Sequence, residues 1–225
     1  MLVAFDTIFE QCAIAVMTAD GKIVYDKSVA GSRGQTEIIL PMLDEAFGEL
    51  GIGVDAVGVW AFNRGPGAFS GIRINTAVVQ ALSVANDAPC VGISSLQALA
   101  YAATADETLP DGSRIVGVID ARQNQVYAGD FVLSDGVLVA QGEYLLDCDG
   151  SIDADVVVGD GVDLIQTAAT RLHLKPTASH IAQLAHPIWQ AGGAVRAEQA
   201  LPVYLRNNAW KTLAEQGKKR PTKQS

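Results

Sequence analysis

Residues 63–73, NRGPGAFSGIR, form a glycine-rich segment of a kind that can hold a phosphate or carry a nucleophile. A dinucleotide fingerprint needs G-x-G-x-x-G, but Ser70 stands where the third glycine belongs. The Gly-Lys-Ser/Thr of a P-loop and the G-x-S-x-G of a nucleophile elbow are both missing. The segment therefore predicts a strand-to-helix turn, with Ser70 as the N-cap of a helix starting near Gly71. Anion binding at that helix start, between Arg64 and Arg73, is the less favoured alternative.

Two aspartates end apolar strands and precede short turns, where a phosphate-binding hairpin would carry its ligands. Asp6 and Thr7 open the turn DTIFEQC, and Asp120 opens DARQNQVY. Turns that wrap phosphates carry glycine or small hydroxyl residues, whereas bulky Ile8 and Phe9 occupy the first turn and the second has no glycine. Asp6, Thr7 and Asp120 are the candidates for nucleotide contact, with Mg²⁺ held by the two acids through water. The favoured interpretation is that both acids cap their turns through backbone N–H groups.

The histidines and cysteines do not form a recognisable site. His173, His180 and His186 lack the i, i+4 spacing with a nearby acid that a helical metal site uses, so we expect no metal there. The three cysteines are far apart, which fits reduced thiols better than a disulfide framework, and Cys12 on a strand is expected to be a buried thiol. Spacing alone proposes no Ser/His/Asp set.

Composition narrows the class of protein further. The 225 residues are 49% hydrophobic and carry a formal net charge of -9, which disfavours strong direct binding to nucleic acid. No apolar run approaches the ~20 residues that span a bilayer, and no signal peptide is evident, so we expect a cytoplasmic protein without membrane contact. The basic segment KKRPTK, residues 218–223, is expected to be a solvated terminus rather than an RNA-binding arm.

The periodicity of the chain predicts alternating strands and helices. An Asp-Gly hairpin turn follows the second strand, and Pro41 either kinks the first helix or marks its start. The predicted strands are 2–8, 12–18, 22–29 and 56–62, and the predicted helices are 36–50, 71–86 and 94–104.

The pattern then restarts, which indicates an internal duplication. Asp6 and Asp120 each end an apolar strand that leads through a turn and a second strand to an Asp-Gly hairpin. A strand near 155–159 and helical stretches near 161–172 and 178–191 follow. The polar segment 105–113 is the predicted linker between residues 1–104 and a shortened unit, 105–225. The fold class is α/β, two tandem β-β-β-α-β-α subdomains of the actin-like ATPase architecture shared by sugar kinases, heat-shock chaperones and actin.

Several motifs in order along the chain resemble the TsaB (YeaZ) family. The family's GRGPGSFTGVR stands here as NRGPGAFSGIR, and its DT-x-x-x-x-C start as residues 6–12. The further matches are ILPM at 39–42, IDAR at 119–122, QVY at 125–127 and PVYLRNN at 202–208. Ala68 and Ser70 replace Ser and Thr, and the segment after residue 208 is one residue shorter than in relatives. Gln35 stands where many relatives have His, which makes a metal site less expected still.

The resemblance implies a non-catalytic subunit of the bacterial complex that makes threonylcarbamoyladenosine next to the tRNA anticodon. Its partners would be the catalytic subunit TsaD, as a heterodimer, and the ATPase TsaE. Contact with tRNA would then be indirect, through the complex, and the isolated chain would form a homodimer. No intrinsic cofactor is implied, and a nucleotide at the junction with the partner is left open. The alternatives are a stand-alone degenerate kinase-like enzyme, a peptidase acting on a partner, or a homodimeric binding protein.

The first two helices are predicted to carry the partner surface. Ile39, Leu43, Phe47 and Leu50 suffice to cover the chain's own sheet, and the second helix is apolar nearly all round, which predicts burial on every side. From the residues alone, that cover could equally come from the second half of the chain or from a third helix. The resemblance favours a partner, because it implies pairing through these helices. The residues assigned to partner binding are Ile38, Met42, Arg73, Ile74, Val78 and Leu82, and glutamate at Met42 or Val78 is expected to block association without unfolding the monomer.

Overall fold

Two five-stranded sheets, each flanked by helices, build the protein in the computed structural model, which describes residues 1–31 and 34–206. The first sheet has the order β3-β2-β1-β4-β5 and the second the order β8-β7-β6-β9-β10. In each sheet three antiparallel strands are followed by two that run parallel to the first of them. The shared order supports the internal duplication, and the fold class predicted from the sequence is confirmed.

The strand bounds follow the predicted hydrophobic runs closely. The first sheet comprises β1 (Leu2–Asp6), β2 (Gln11–Met17), β3 (Ile23–Ala30), β4 (Val59–Asn63) and β5 (Cys90–Ile93). The second comprises β6 (Arg114–Arg122), β7 (Gln125–Ser134), β8 (Val137–Asp147), β9 (Val156–Val158) and β10 (Thr170–Leu172). Gly21 and Gly136 each adopt a positive φ in an Asp-Gly turn, at 89° and 76°, so both hairpins are confirmed.

Among the described residues, three α-helices cover the first sheet and a fourth packs on the second. They are α1 (Gln35–Leu50), α2 (Phe69–Asn86), α3 (Ser95–Asp106) and α4 (Ala178–Gln190). The α1 and α2 helices cover one face of the first sheet, and α4 covers the other. The α3 helix packs through Leu96 and Leu99 on the second sheet. None of the helices in the described part of the chain has the length and hydropathy that a membrane span requires.

One open alternative is settled, and two local predictions are wrong. The α1 helix runs from Gln35 through Pro41, so Pro41 does not mark its start. The α2 helix has Ala68 at its N-cap rather than Ser70, because the helix begins two residues earlier than the glycine spacing predicted. Residues 161–172 form a short 3₁₀ turn and β10 instead of a helix. The chain must reach the sheet edge there to pair Thr170 with Val156, and that pairing overrides the local helical spacing.

The two halves share more than a linker. The predicted division between residues 104 and 105 falls at the end of α3, just before the loop that leads to β6. However, α4 from the second half returns to the first sheet, where Ala178, Ile181 and Ala182 are buried. Residues 207–225, including the basic segment 218–223, lie outside the described residues.

Candidate functional site

A cleft of about 550 Å³ lies between the two sheets. Across it, Ile8 and Phe9 in the turn after β1 face Ala121 near the end of β6 and Gln123 in the turn between β6 and β7. The start of α2 closes one side. These are the two turns that the duplication places in equivalent positions. The further lining residues include Glu10, Phe69, Asp120, Arg122, Tyr127, Asp160, Lys175 and Arg206.

The two aspartates at the strand ends cap their turns in the same way, as predicted. The backbone N–H of Ile8 donates to Asp6 Oδ1 at 2.8 Å, and that of Arg122 donates to Asp120 Oδ1 at 2.7 Å. Asp120 borders the cleft, whereas Asp6 and Thr7 lie beneath the turn and do not line it. Of the three candidates for nucleotide contact, only Asp120 is thus within reach of a molecule in the cleft.

Asp6 is completely buried and hydrogen-bonded on both carboxylate oxygens. The side-chain amides of Gln11 and Asn63 each donate to Asp6 Oδ2 at 3.3 Å. Burial raises the pKa of Asp6 from 3.8 to about 6, and the hydrogen bonds from Ile8, Asn63 and Gln11 oppose that rise. The carboxyl group is therefore held by protein donors in a place where water and ions have no access.

A buried polar network extends from this carboxyl group into α2. Thr7 Oγ1 lies 2.8 Å from the Gly71 carbonyl oxygen and 3.0 Å from Asn75 Oδ1. Asn75 donates to the Asn63 carbonyl at 3.1 Å, and Ser95 Oγ donates to Asn63 Oδ1 at 2.6 Å. The sequence reasoning missed Asn63, although it ends β4 beside Asp6 at the end of β1. Its position at a strand end was the signal that could have found it.

Gln35 closes the network on the side of α1. Its amide nitrogen donates to the Gln11 carbonyl at 2.9 Å and to the Thr7 carbonyl at 3.1 Å, and the side chain is only 5% exposed. Gln35 thus ties α1 to the turn after β1. No group of three His, Cys, Asp or Glu side chains suited to a metal ion occurs within residues 1–31 and 34–206.

The glycine-rich segment packs against this turn. A Cβ at Gly71 would lie 2.2 Å from the Thr7 carbonyl oxygen, and one at Gly67 would lie 2.4 Å from Ile8 Cγ2. Both distances are far below van der Waals contact, so only glycine lets α2 start so close to the end of β1. The chain's own turn occupies the concave side of the loop, which supports the interpretation of the loop as a shaped turn.

The charged side chains around the cleft bind one another or backbone groups. Asp120 pairs with Arg122 at 2.8 Å, and Asp160 Oδ1 accepts the Asp120 N–H at 3.0 Å. Burial, followed by the neighbouring Asp120 carboxylate, raises the pKa of Asp160 against the opposing effect of the backbone hydrogen bond. Lys175 donates to the Phe9 carbonyl at 3.3 Å, and Arg206 donates to the Ala121 and Arg122 carbonyls at 3.1 and 3.2 Å. Asp160, Lys175 and Arg206 were not predicted, because their approach depends on the closure of the two halves.

Each of the three histidines lies near another group of the protein, and Cys12 lies in the core. His180 forms a capping box with Thr177 at the start of α4, and His186 lies 2.9 Å from the Ala19 carbonyl oxygen. His173 lies exposed, 3.6 Å from Asp163. Cys12 is fully buried, and burial raises the pKa of its thiol to about 11, so the predicted buried thiol is confirmed.

The six residues assigned to partner binding differ in their exposure. Met42 is 4% exposed and belongs to the core beneath α1, so the monomer buries a side chain that was assigned to the partner surface. Helix α1 is rotated so that Met42 joins Ile39 and Leu43 against the sheet, which spacing along one helix could not reveal. Ile38, Ile74, Val78 and Leu82 are half-buried against the same core. Arg73 is exposed and stacks 3.8 Å above the Phe69 ring.

The outer side of α2 is not covered by the rest of the described chain. Within the monomer, this helix is therefore not buried on every side. Ala77, Ala81 and Ala85 are exposed, and Val84 is 75% exposed. These residues, together with the half-buried Ile74, Val78 and Leu82, form the α2 face. Small side chains at intervals of four residues permit another helix to approach closely.

The duplicated sheets and the facing turns define an actin-like ATPase fold. In this chain, hydrogen-bonded side chains occupy the space at the ends of β1 and β4. The family model for TsaD, tRNA N6-adenosine threonylcarbamoyltransferase, matches residues 29–212. The solved structure of YeaZ from Pseudomonas aeruginosa superimposes with a TM-score of 0.82 at 34% identity, covering 91% of this chain and 99% of that one. The chain belongs to the TsaB (YeaZ) family, as the motifs predicted.

The curated relatives that carry the name tRNA threonylcarbamoyladenosine biosynthesis protein TsaB include proteins from Escherichia coli and Haemophilus influenzae. The Escherichia coli protein is 29% identical over 230 residues, which cover 94% of this chain and 97% of that protein. The Haemophilus influenzae protein is 37% identical over 131 residues, which cover 58% of this chain. The chain spans about half the length of the Haemophilus relative, 53%, in that comparison.

Proposed function

We propose that this chain works in the biosynthesis of tRNA threonylcarbamoyladenosine as a non-catalytic subunit that supports a TsaD-type catalytic partner. The proposal rests on the filled strand-end site, which is the buried polar network at the ends of β1 and β4. Asp6, Thr7, Asn63 and Asn75 bind one another where an actin-like ATPase needs room for phosphates. A phosphate could reach these groups only if the turn holding Ile8 and Phe9 opened.

The α2 face is the proposed contact with the partner. It exposes small apolar side chains on a regular helix next to exposed Phe69 and Arg73, and aromatic and arginine side chains are enriched in binding hot spots. A self-complementary patch of this kind serves a homodimer through two-fold symmetry. The same patch would also serve a heterodimer with a structurally related subunit. The isolated chain would then form a homodimer, and the catalytic partner would displace one copy to form the heterodimer.

The cleft between the sheets is the proposed position for any nucleotide shared with the partner. Its volume of about 550 Å³ lies within the range of small-molecule sites, and Asp120 is the predicted contact that borders it. TsaE and tRNA would meet this chain only within the assembled complex. A stand-alone kinase-like enzyme or peptidase is the alternative that the experiments must separate from this role.

The first experiment measures association with the TsaD homologue of the same organism, by size-exclusion chromatography with light scattering. Ala81→Glu places a charge on the exposed α2 face and is expected to weaken the heterodimer at least tenfold, because the carboxylate would be desolvated without a partner. Ala140→Glu, an equally exposed alanine on β8, is the matched control. Equal association of both variants would place the interface elsewhere.

The second experiment separates support from catalysis. Threonylcarbamoyladenosine formation is assayed with TsaD, TsaE, tRNA and the threonylcarbamoyl donor, with and without this chain, and ATP hydrolysis is assayed with this chain alone. We expect product when this chain is present with TsaD, little or no product when this chain is left out, and no ATP hydrolysis by the isolated chain. An ATPase that co-purifies with the chain and disappears in Asp6→Ala or Asp120→Ala would favour the enzyme alternative.

A further inference from the structure

A second cavity, of about 220 Å³, lies at the edge of the first sheet and contains Arg64, which forms no ion pair with the described residues. It is bounded by β5, the segment after α4 and residues 199–201. Its lining includes Phe62, Arg64, Gly92, Ile188, Val195 and Gln199. This cavity, the Arg64 cavity, is separate from the cleft between the sheets and from the α2 face.

The Arg64 side chain is half-buried, and its Nε atom is fully buried. Within the part of the chain that the structure describes, Arg64 Nε has no hydrogen-bond partner, and no Asp or Glu lines the cavity. The ion pairs found among these residues involve other cations. Removing a guanidinium N–H from water without a partner is costly, so native proteins rarely leave one unsatisfied. An acceptor for this N–H must come from outside the described residues, either as water or as a bound group.

Neighbouring segments hold both the backbone and the side chain of Arg64 in place. Its own N–H donates to the Ile93 carbonyl at 2.9 Å, and its carbonyl accepts the Val203 N–H at 2.9 Å, so two neighbouring segments fix the backbone. A Cβ at Gly92 would lie 3.2 Å from Arg64 Cδ and 3.1 Å from Phe62 Cζ. The absence of a side chain at Gly92 thus makes room for the arginine stem across the strand.

The sheet edge beside the cavity leaves the backbone of Gly92 without a strand partner among the described residues. In β5, Pro89 and Ile93 accept from Trp60 and Arg64 of the β4 side, so the alternate residues Cys90 and Gly92 face outward. Cys90 exchanges two hydrogen bonds with Val195, at 2.7 and 2.8 Å, in an isolated bridge that does not extend to Gly92 within the described residues. Gly92 consequently offers a backbone donor and acceptor next to the guanidinium.

We propose that the Arg64 cavity binds an acidic side chain presented by an extended segment of a protein partner. The segment's backbone would pair with Gly92 at the sheet edge, as in β-strand addition, and its carboxylate would accept from the Arg64 guanidinium. The cavity volume suits one side chain and falls below the ~300 Å³ at which nucleotide-sized ligand sites begin. Arginine is suited to planar, bidentate recognition of a carboxylate.

The test uses the full chain labelled with ¹⁵N and two peptide probes, acetyl-Val-Glu-Val-amide and acetyl-Val-Gln-Val-amide. We expect the glutamate peptide to shift the Gly92 amide and Arg64 Nε–H resonances saturably, and the glutamine peptide to bind at least tenfold more weakly. Equal binding of the two peptides, or no binding of either, would overturn the proposal. Binding of sodium phosphate in place of the glutamate peptide would instead identify a phosphate site.

Variants assign the effect to the cavity. Arg64→Gln should lose at least tenfold in affinity for the glutamate peptide, and Gly92→Ala should do the same by displacing a guanidinium that remains charged. Arg196→Gln, an exposed cation in the neighbouring loop, is the matched control and should bind like the parent chain. Unchanged affinity in folded Arg64→Gln and Gly92→Ala would contradict the site. A gain of affinity in Glu215→Gln would show that the chain's own C-terminal segment competes for it, and would equally contradict an external partner.

Discussion

The buried Asp6 carboxyl group should make the stability of this protein depend on pH in a direction opposite to that of a salt-bridged aspartate. Burial raises its pKa from 3.8 in the unfolded chain to about 6 in the folded one. Below 3.8 the group is neutral in both states, and its contribution to stability is fully present. As pH rises, the unfolded chain ionises first, so the contribution is lost progressively until the pH passes 6.

The expected size follows from the shift of about two pKa units. Each unit corresponds to about 1.4 kcal/mol, so the loss between pH 3.5 and pH 7 is about 3 kcal/mol. This is a large part of the 5–15 kcal/mol that is typical of a whole domain. Other carboxyl groups titrate over the same range, so the total stability curve does not isolate the effect. The difference between the parent chain and Asp6→Asn, which cannot ionise, does isolate it.

The assay is urea unfolding of the parent chain and Asp6→Asn at several pH values between 3.5 and 7. We expect the free energy of unfolding of the parent, relative to the variant, to fall by about 3 kcal/mol across this interval. The difference in free energy of unfolding at any single pH is not informative, because the new amide group in Asp6→Asn would face the N–H donors of Gln11 and Asn63. Ser28→Ala, a neutral change that touches Gln11, should show no such trend. A constant difference between parent and Asp6→Asn would refute the argument.

Two further substitutions test the packing around this site. Gly71→Val should destabilise the protein by about 3 kcal/mol or more, since a Cβ there would lie 2.2 Å from the Thr7 carbonyl oxygen; an unchanged melting temperature together with lost function in the complex would make the loop a ligand site rather than a packed turn. Met42→Glu should unfold the monomer or lower its stability by about 3–5 kcal/mol, because Met42 is 4% exposed in the core. Circular dichroism during heating measures both, and a fully folded Met42→Glu chain that fails to associate would restore Met42 to the partner surface.

The sequence by itself determined most of the elements and the family. Alternating and continuous apolar runs predicted the strands, because side-chain orientation in a strand has a period of two and is set locally. The Asp-Gly turns and the capping by Asp6 and Asp120 also depend on neighbours in the chain. The order of short motifs was specific enough to identify the TsaB family.

Contacts between distant segments were decided by the tertiary structure. Spacing along α1 placed Met42 outside the core, but the rotation of the helix against the sheet, which depends on packing with α2 and β2, buries it. Local helical spacing in 161–172 gave way to pairing between β9 and β10.

The filled strand-end site is the clearest case. Asn63 and Asn75 stand 57 and 69 positions after Asp6, and Gln35 lies on another helix, so no local pattern links them. They meet because glycine at position 71 lets α2 start against the end of β1, and because polar groups buried there must find partners within the protein.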